Sequence, residues 1–148
     1  MPVTDRRRGR PRDDAAILKR REEILDAAVS IFARDGFRKA DPQAVADRLG
    51  VGKGTVYRYF PSKESLFLGA VDRGMRQMKA AVDAAVADEG DPLQRIQRGT
   101  CAYLEFFDTH PEVCELLIQE RAEFRERKRP TYFEHRDMYV VADRKSVV

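Results

Sequence analysis

The sequence predicts an all-α protein, and three observations carry that expectation. Apolar residues recur at spacings of three and four along most of the chain. Three residues that suit a helix cap are each followed at once by proline, Asp41-Pro42, Asp91-Pro92 and His110-Pro111, the order of a cap and a first helical residue. No segment alternates polar and apolar residues as a half-buried strand does.

The elements follow in order. Residues 1–14 are nearly free of apolar side chains and hold Arg6, Arg7, Arg8, Arg10 and Arg12, with Gly9 and Pro11 opposing a helix, so a disordered basic arm is expected there. From about Ala15 to Asp35, Ile24, Leu25, Ala28, Ile31 and Phe32 share one helix face. Gly36 then offers a left-handed cap, and Phe37 is placed to pack back on Phe32. Asp41 caps a second helix whose Val45, Ala46 and Leu49 form a short apolar stripe ending at Gly50. A turn through Gly50, Val51 and Gly52 leads into a third helix at about 53–60. There Val56 and Phe60 point inward, Gly54, Thr55 and Arg58 point the other way, and Lys53, Tyr57 and Tyr59 flank them. Pro61 ends it. Ser62 caps a fourth helix running through Leu66, Phe67, Ala70, Val71 and Met78 towards Ala87 and a stop at Gly90.

In the fifth helix, opened by Asp91, Leu93, Ile96, Thr100, Tyr103 and Phe107 step by three and four towards a core. The sixth, opened by His110, directs Val113, Leu116, Leu117 and Phe124 inward before Pro130. Thr131 to Asp137 has room for one or two more turns, and the last ten residues stay unassigned. The organisation expected is therefore a basic arm over residues 1–14, a three-helix unit over 15–65, and a second helical layer over 66–148.

Composition narrows the function. With 148 residues and 43% hydrophobic content the chain can bury an ordinary core without a metal or disulfide. No apolar run approaches a membrane span and none follows the arginine-rich start, so a soluble, intracellular protein with no membrane partner is expected. Cys101 and Cys114 fall in apolar helical patterns and read as core thiols, not a disulfide. His110 and Cys114 supply two ligands where a metal needs more, and no nucleophile-base or carboxylate pair stands out, so neither a cofactor nor an enzymatic activity is expected. The net charge of +3 hides an asymmetry. Residues 1–65 carry 15 Lys and Arg against 10 Asp and Glu (+5), the remainder 13 against 15 (−2), so the first part suits a polyanion and the second does not.

The stretch GVGKGTVYRYF, residues 50–60, admits two chemistries. A nucleotide phosphate loop needs G-x-x-x-x-G-K-[ST] after a strand, but Gly54 follows Lys53 where a magnesium-binding hydroxyl belongs, Asp47 stands five before Gly52, and a helix precedes the loop. A nucleotide-binding enzyme is therefore the weaker alternative. Two short helices joined by a tight glycine turn, the second turning Lys53, Thr55, Tyr57, Arg58 and Tyr59 outward, describe a helix-turn-helix whose second helix enters the major groove of double-stranded DNA. Without side chains, Gly52 and Gly54 let the leading end approach bases and backbone closely. Arg58 is the best candidate base reader, because a guanidinium bonds a guanine edge in two places.

Residues 20–70, most distinctly FARDGFRKADPQAVADRLGVGKGTVYRYFPSKESLF, resemble the DNA-binding domain of the TetR/AcrR family of bacterial transcriptional regulators. The resemblance implies that Lys53, Gly54, Thr55, Tyr57, Arg58 and Tyr59 occupy DNA-facing positions of the recognition helix. It implies that Tyr57, Tyr59 and Lys63 hold phosphates and that Gln43 reaches backbone or bases. Two positions depart from the family pattern, Asp41 and Gly52 standing where a Thr and a Ser are usual. A carboxylate at 41 suits a helix cap and repels a phosphate. The Arg8-Gly9-Arg10-Pro11 run resembles the core of an AT-hook, which lays arginines in a narrow minor groove. A generic basic tail binding through counterion release is the other reading of the arm.

The resemblance further implies a cytoplasmic, nucleoid-associated bacterial repressor, with the later helices forming a ligand-binding and dimerisation domain. Met75, Met78, Tyr103, Phe107 and Leu117 are the candidate lining of a small-molecule pocket, and plain core is the other reading of such residues. Glu105, Glu115, Gln119 and Glu120 are candidates for facing a cationic ligand, or are merely solvated. Family members usually continue into two long helices that pair with a partner's. The chain stops before them, so the expectation is either a shortened member or a sequence truncated or frame-shifted near its end, with a homodimer if the dimerisation helices are intact and a monomeric DNA-binding module otherwise.

Overall fold

The computed structural model describes residues 11–87 and 90–137. The arm's Arg8 and Arg10, and the unassigned tail, lie outside these residues. Among the described residues every regular element is a helix: α1 (Pro11–Lys39), α2 (Pro42–Leu49), α3 (Lys53–Tyr59), α4 (Lys63–Ala85), α5 (Pro92–Thr109) and α6 (Pro111–Glu123). Residues 131–137 are helical as well.

Most boundaries have the local causes the sequence indicates. The Asp41 side chain accepts from Gln43 N and Gly50 closes α2 in the left-handed region at φ 65°. Ser62 and Ser65 cap α4 reciprocally. Helix α1 begins at Pro11, earlier than Ala15. A proline is tolerated at the first helical position, where its missing N–H has no partner to lose, so it starts this helix instead of opposing it. Near its other end α1 is broken at Gly36, whose φ of 77° is open to glycine and strained for other residues, and the break turns Phe37 back to within 6.2 Å of Phe32.

Two cores follow one another along α4. The first joins Ile24, Leu25, Ala28, Ile31 and Phe32 of α1 to Val45, Ala46, Val56 and Phe60 of the short helices and to Leu66, Phe67, Ala70 and Val71 of α4, with Leu116 of α6. At its centre Phe67 lies 5.1 Å from both Phe32 and Phe37 and stacks on Phe124 at 5.6 Å, so rings from α1, from α4 and from just beyond α6 meet around one side chain. The first core thus runs across residue 65. The second gathers Met75, Met78, Phe106 and Val113, flanked by Tyr103, Phe107, Leu117 and Tyr132.

Helix α5 departs from expectation. Only Phe106 is buried in it, whereas Leu93 and Ile96 are 75% and 66% exposed, so the first half of its apolar stripe faces outward among the described residues. Cys101 is exposed on the same helix and is not a core thiol, while Cys114 is half-buried. Both are free. Burial pushes the Cys114 thiol above its ordinary value, with Glu112 adding to the shift.

Candidate nucleic-acid interface

Helices α2 and α3 form a helix-turn-helix. Gly50 reverses the chain, Val51 N donates to Ala46 O at 3.0 Å, and α3 begins after Gly52 with no side-chain cap. Val56 and Phe60 anchor α3 in the first core at 1% and 2% exposure. The remaining α3 side chains lie half-buried or exposed around that anchor, with Tyr57 and Arg58 among the exposed ones.

The glycines of the chain divide by cause. A Cβ at Gly69 would come within 2.9 Å of the Phe60 ring, and one at Gly74 within 2.7 Å of Val113, so both permit close helix packing. At Gly52 and Gly54 nothing lies within 4 Å of where a Cβ would stand and the backbone has no positive φ, so neither packing nor conformation asks for glycine there.

Several of the candidate contact residues take a partner within the chain. Lys53 Nζ donates to Asp41 Oδ1 at 2.9 Å and lies 5.9 Å from the Tyr57 ring. The bond raises the Lys53 ammonium pKa. The Asp41 carboxyl is held below its ordinary range, first by the Gln43 amide and then by Lys53. Gln43 Nε2 donates to Asp47 Oδ1 at 2.6 Å. The Arg58 guanidinium sits 5.5 Å from the Tyr59 ring, and Arg21 braces the end of α3 from α1, stacked 4.4 Å over Phe60 with a long 3.5 Å contact to Tyr59 O. Lys63 Nζ donates to Arg38 O at 2.9 Å, over the Phe37 ring, where it caps the end of α1. Sequence reading missed the Asp41–Lys53 pair. The two stand twelve positions apart, and only the turn between the helices brings them together.

The candidate pocket residues also converge, since Met75, Met78, Tyr103, Phe107 and Leu117 all belong to the second core. Burial, then a hydrogen bond to Tyr132, pushes the Tyr103 phenol up to about 12. Glu105 and Glu115 are exposed, and Gln119 donates to Phe32 O, fastening α6 to α1. Glu120 is not solvated. It is 2% exposed, takes the Arg127 guanidinium and accepts from Thr131 N and Oγ1 at 3.0 and 2.9 Å, which ties residues 131–137 to α6.

A helix-turn-helix with an exposed second helix, set on a larger helical layer, is the build of a DNA-binding transcriptional regulator. Residues 24–70 match the family described as bacterial regulatory proteins, tetR family. The transcriptional repressor KstR of Mycolicibacterium smegmatis is 41% identical over 78 residues, 53% of this chain and 38% of that protein. The transcriptional activator FasR of the same species is 30% identical over 120 residues, 80% of this chain and 52% of that protein. Among solved structures, the ketosteroid transcriptional regulator KstR2 of Mycobacterium tuberculosis aligns with a TM-score of 0.62 at 27% identity, covering 81% of this chain and 61% of that one. Over residues 24–70 the chain carries the sequence of the tetR family of bacterial regulators, and it spans about half the length of the curated relatives it matches, or less. No described helix is long and apolar enough to cross a membrane.

Proposed function

We propose that the protein is a ligand-responsive transcriptional repressor that places α3 in the major groove of double-stranded DNA and, as a homodimer, reads two half-sites. The single observation that carries the reading is the open, side-chain-free leading end of α3 at Gly52 and Gly54, beside exposed Tyr57 and Arg58. Arg58 is assigned to a base edge and Tyr57, Tyr59 and Lys63 to phosphates, with Lys53, Thr55 and Gln43 completing the face. Arg8 and Arg10 are assigned to the minor groove or the backbone beside the same site.

Repression and response follow from how α4 is built. Its first half supplies Phe67 to the DNA-binding core and its second half supplies Met75 and Met78 to the second core, so one helix belongs to both. A small apolar effector admitted among Met75, Met78, Tyr103, Phe107 and Leu117 displaces α4 and with it the spacing of two recognition helices. Selection of genomic duplex fragments on the purified protein, followed by footprinting in a salt series, tests the reading. A protected inverted repeat with steeply salt-dependent affinity is expected. Retention of no fragment at low salt would sink it.

A further inference from the structure

We propose that Asp41 is a specificity-determining residue of the DNA interface: by holding Lys53 in a neutral pair at the leading end of α3, it withholds that ammonium from backbone phosphates and restrains sequence-independent binding. The inference rests on the DNA-binding reading above.

The pair is fixed by the fold. Asp41 Oδ1 caps α2 through Gln43 N at 2.8 Å, and the same oxygen takes Lys53 Nζ at 2.9 Å, so the cap that starts α2 also places the first side chain of α3. Both side chains stay accessible, Lys53 at 40% and Asp41 at 61%, so water and an incoming polyanion reach the pair. Sequence-independent affinity comes almost wholly from cations that replace counterions on phosphates, and a lysine neutralised by a carboxylate contributes little to that count. A phosphate also offers the carboxylate no hydrogen and repels its charge. A base-pair edge in the major groove offers both functions side by side: a guanine acceptor for the ammonium and a cytosine amino group for the carboxylate. The pair therefore favours a base edge over a phosphate, where a lone lysine takes either.

The test is fluorescence anisotropy with a labelled random-sequence duplex over a series of salt concentrations, on the full chain. Asp41→Asn keeps an oxygen to cap α2 and removes the charge. It should bind the random duplex about threefold to tenfold more tightly at low salt, with a log–log salt slope steeper by about 0.9. In a Lys53→Gln background the same substitution should change neither quantity. Asp41→Ser, another capping residue, gives a second neutral variant should the Asn form fold poorly. Unchanged affinity and slope in the neutral variants would overturn the proposal. So would a gain that survives in full without Lys53, since Asp41 would then act as a plain repulsive charge. If the unaltered protein binds no duplex at low salt, the DNA-binding reading itself fails. If it binds and the neutral variants match it, this inference alone fails.

Discussion

Two pairs of glycines, Gly69 and Gly74 in α4 and Gly52 and Gly54 at the start of α3, look alike in sequence and have opposite causes. In α4 the missing side chains let Phe60 and Val113 approach the helix, and a Cβ would strike them at 2.9 and 2.7 Å. Around Gly52 and Gly54 there is only open space. A glycine demanded by neighbours in the same chain speaks of folding, and at Gly52 and Gly54 the fold makes no such demand.

The contrast can be broken or sharpened by substitution. Gly74→Ala should have the largest effect on the fold, because Val113 is branched at Cβ and cannot swing aside. A net loss of about 1–2 kcal/mol is expected once overpacking is offset by better helix propensity, read from denaturant unfolding. Val113→Ala should restore much of it in the double variant, and failure to do so would remove the packing explanation. Arg58→Ala should cost about 1–3 kcal/mol of DNA binding with relaxed preference at particular base pairs, measured by competition between variant duplexes, and leave the unfolding midpoint where it was. Gly54→Ala should part the two properties. Stability is expected to rise by about 0.5 kcal/mol, while binding of a duplex weakens at the crowded groove. Equal or tighter binding would show that the bare surface serves no duplex.

The smallest effect belongs to the second core. Because the folded Tyr103 phenol is raised to about 12 from an unfolded value near 10, its protonated form contributes stability fully present below pH 10 and lost as pH rises towards 12. Tyr103→Phe should flatten that alkaline decline in a comparison of unfolding midpoints against the unaltered protein. DNA binding at neutral pH should not change.

How far the sequence was legible follows the same division. Caps and short-range periodicity are local, so Asp41-Pro42, Asp91-Pro92, Gly50 and the inward pair Val56 and Phe60 place α2, α3 and α5 from residues a few positions apart. Periodicity says which residues share a face and not which face is covered, and on that ground α5 misled. Leu93 and Ile96 keep helical register and still point outward. Glu120 failed for the complementary reason. Its burial depends on Arg127 and Thr131 arriving from the next segment, and a charge whose partner lies seven or eleven positions away looks solvated in sequence. Helix α3 was legible by its inward pair, Val56 and Phe60, and the residues left outside it. The state of those residues was not, since Lys53 and Lys63 take partners from other elements.

The ring cluster around Phe67 bears on how such a protein can be rearranged by evolution or in the laboratory. Phe67 and Phe124 close the same apolar centre as Phe32 and Phe37, so a segment cut at residue 65 leaves with half of an interior and a hydrophobic wound where the other half stood. A DNA-reading head exchanged between relatives at that seam would have to carry the first turns of α4 and meet a compatible ring from beyond α6. New specificities are then reached more readily by altering α3 in place than by trading heads.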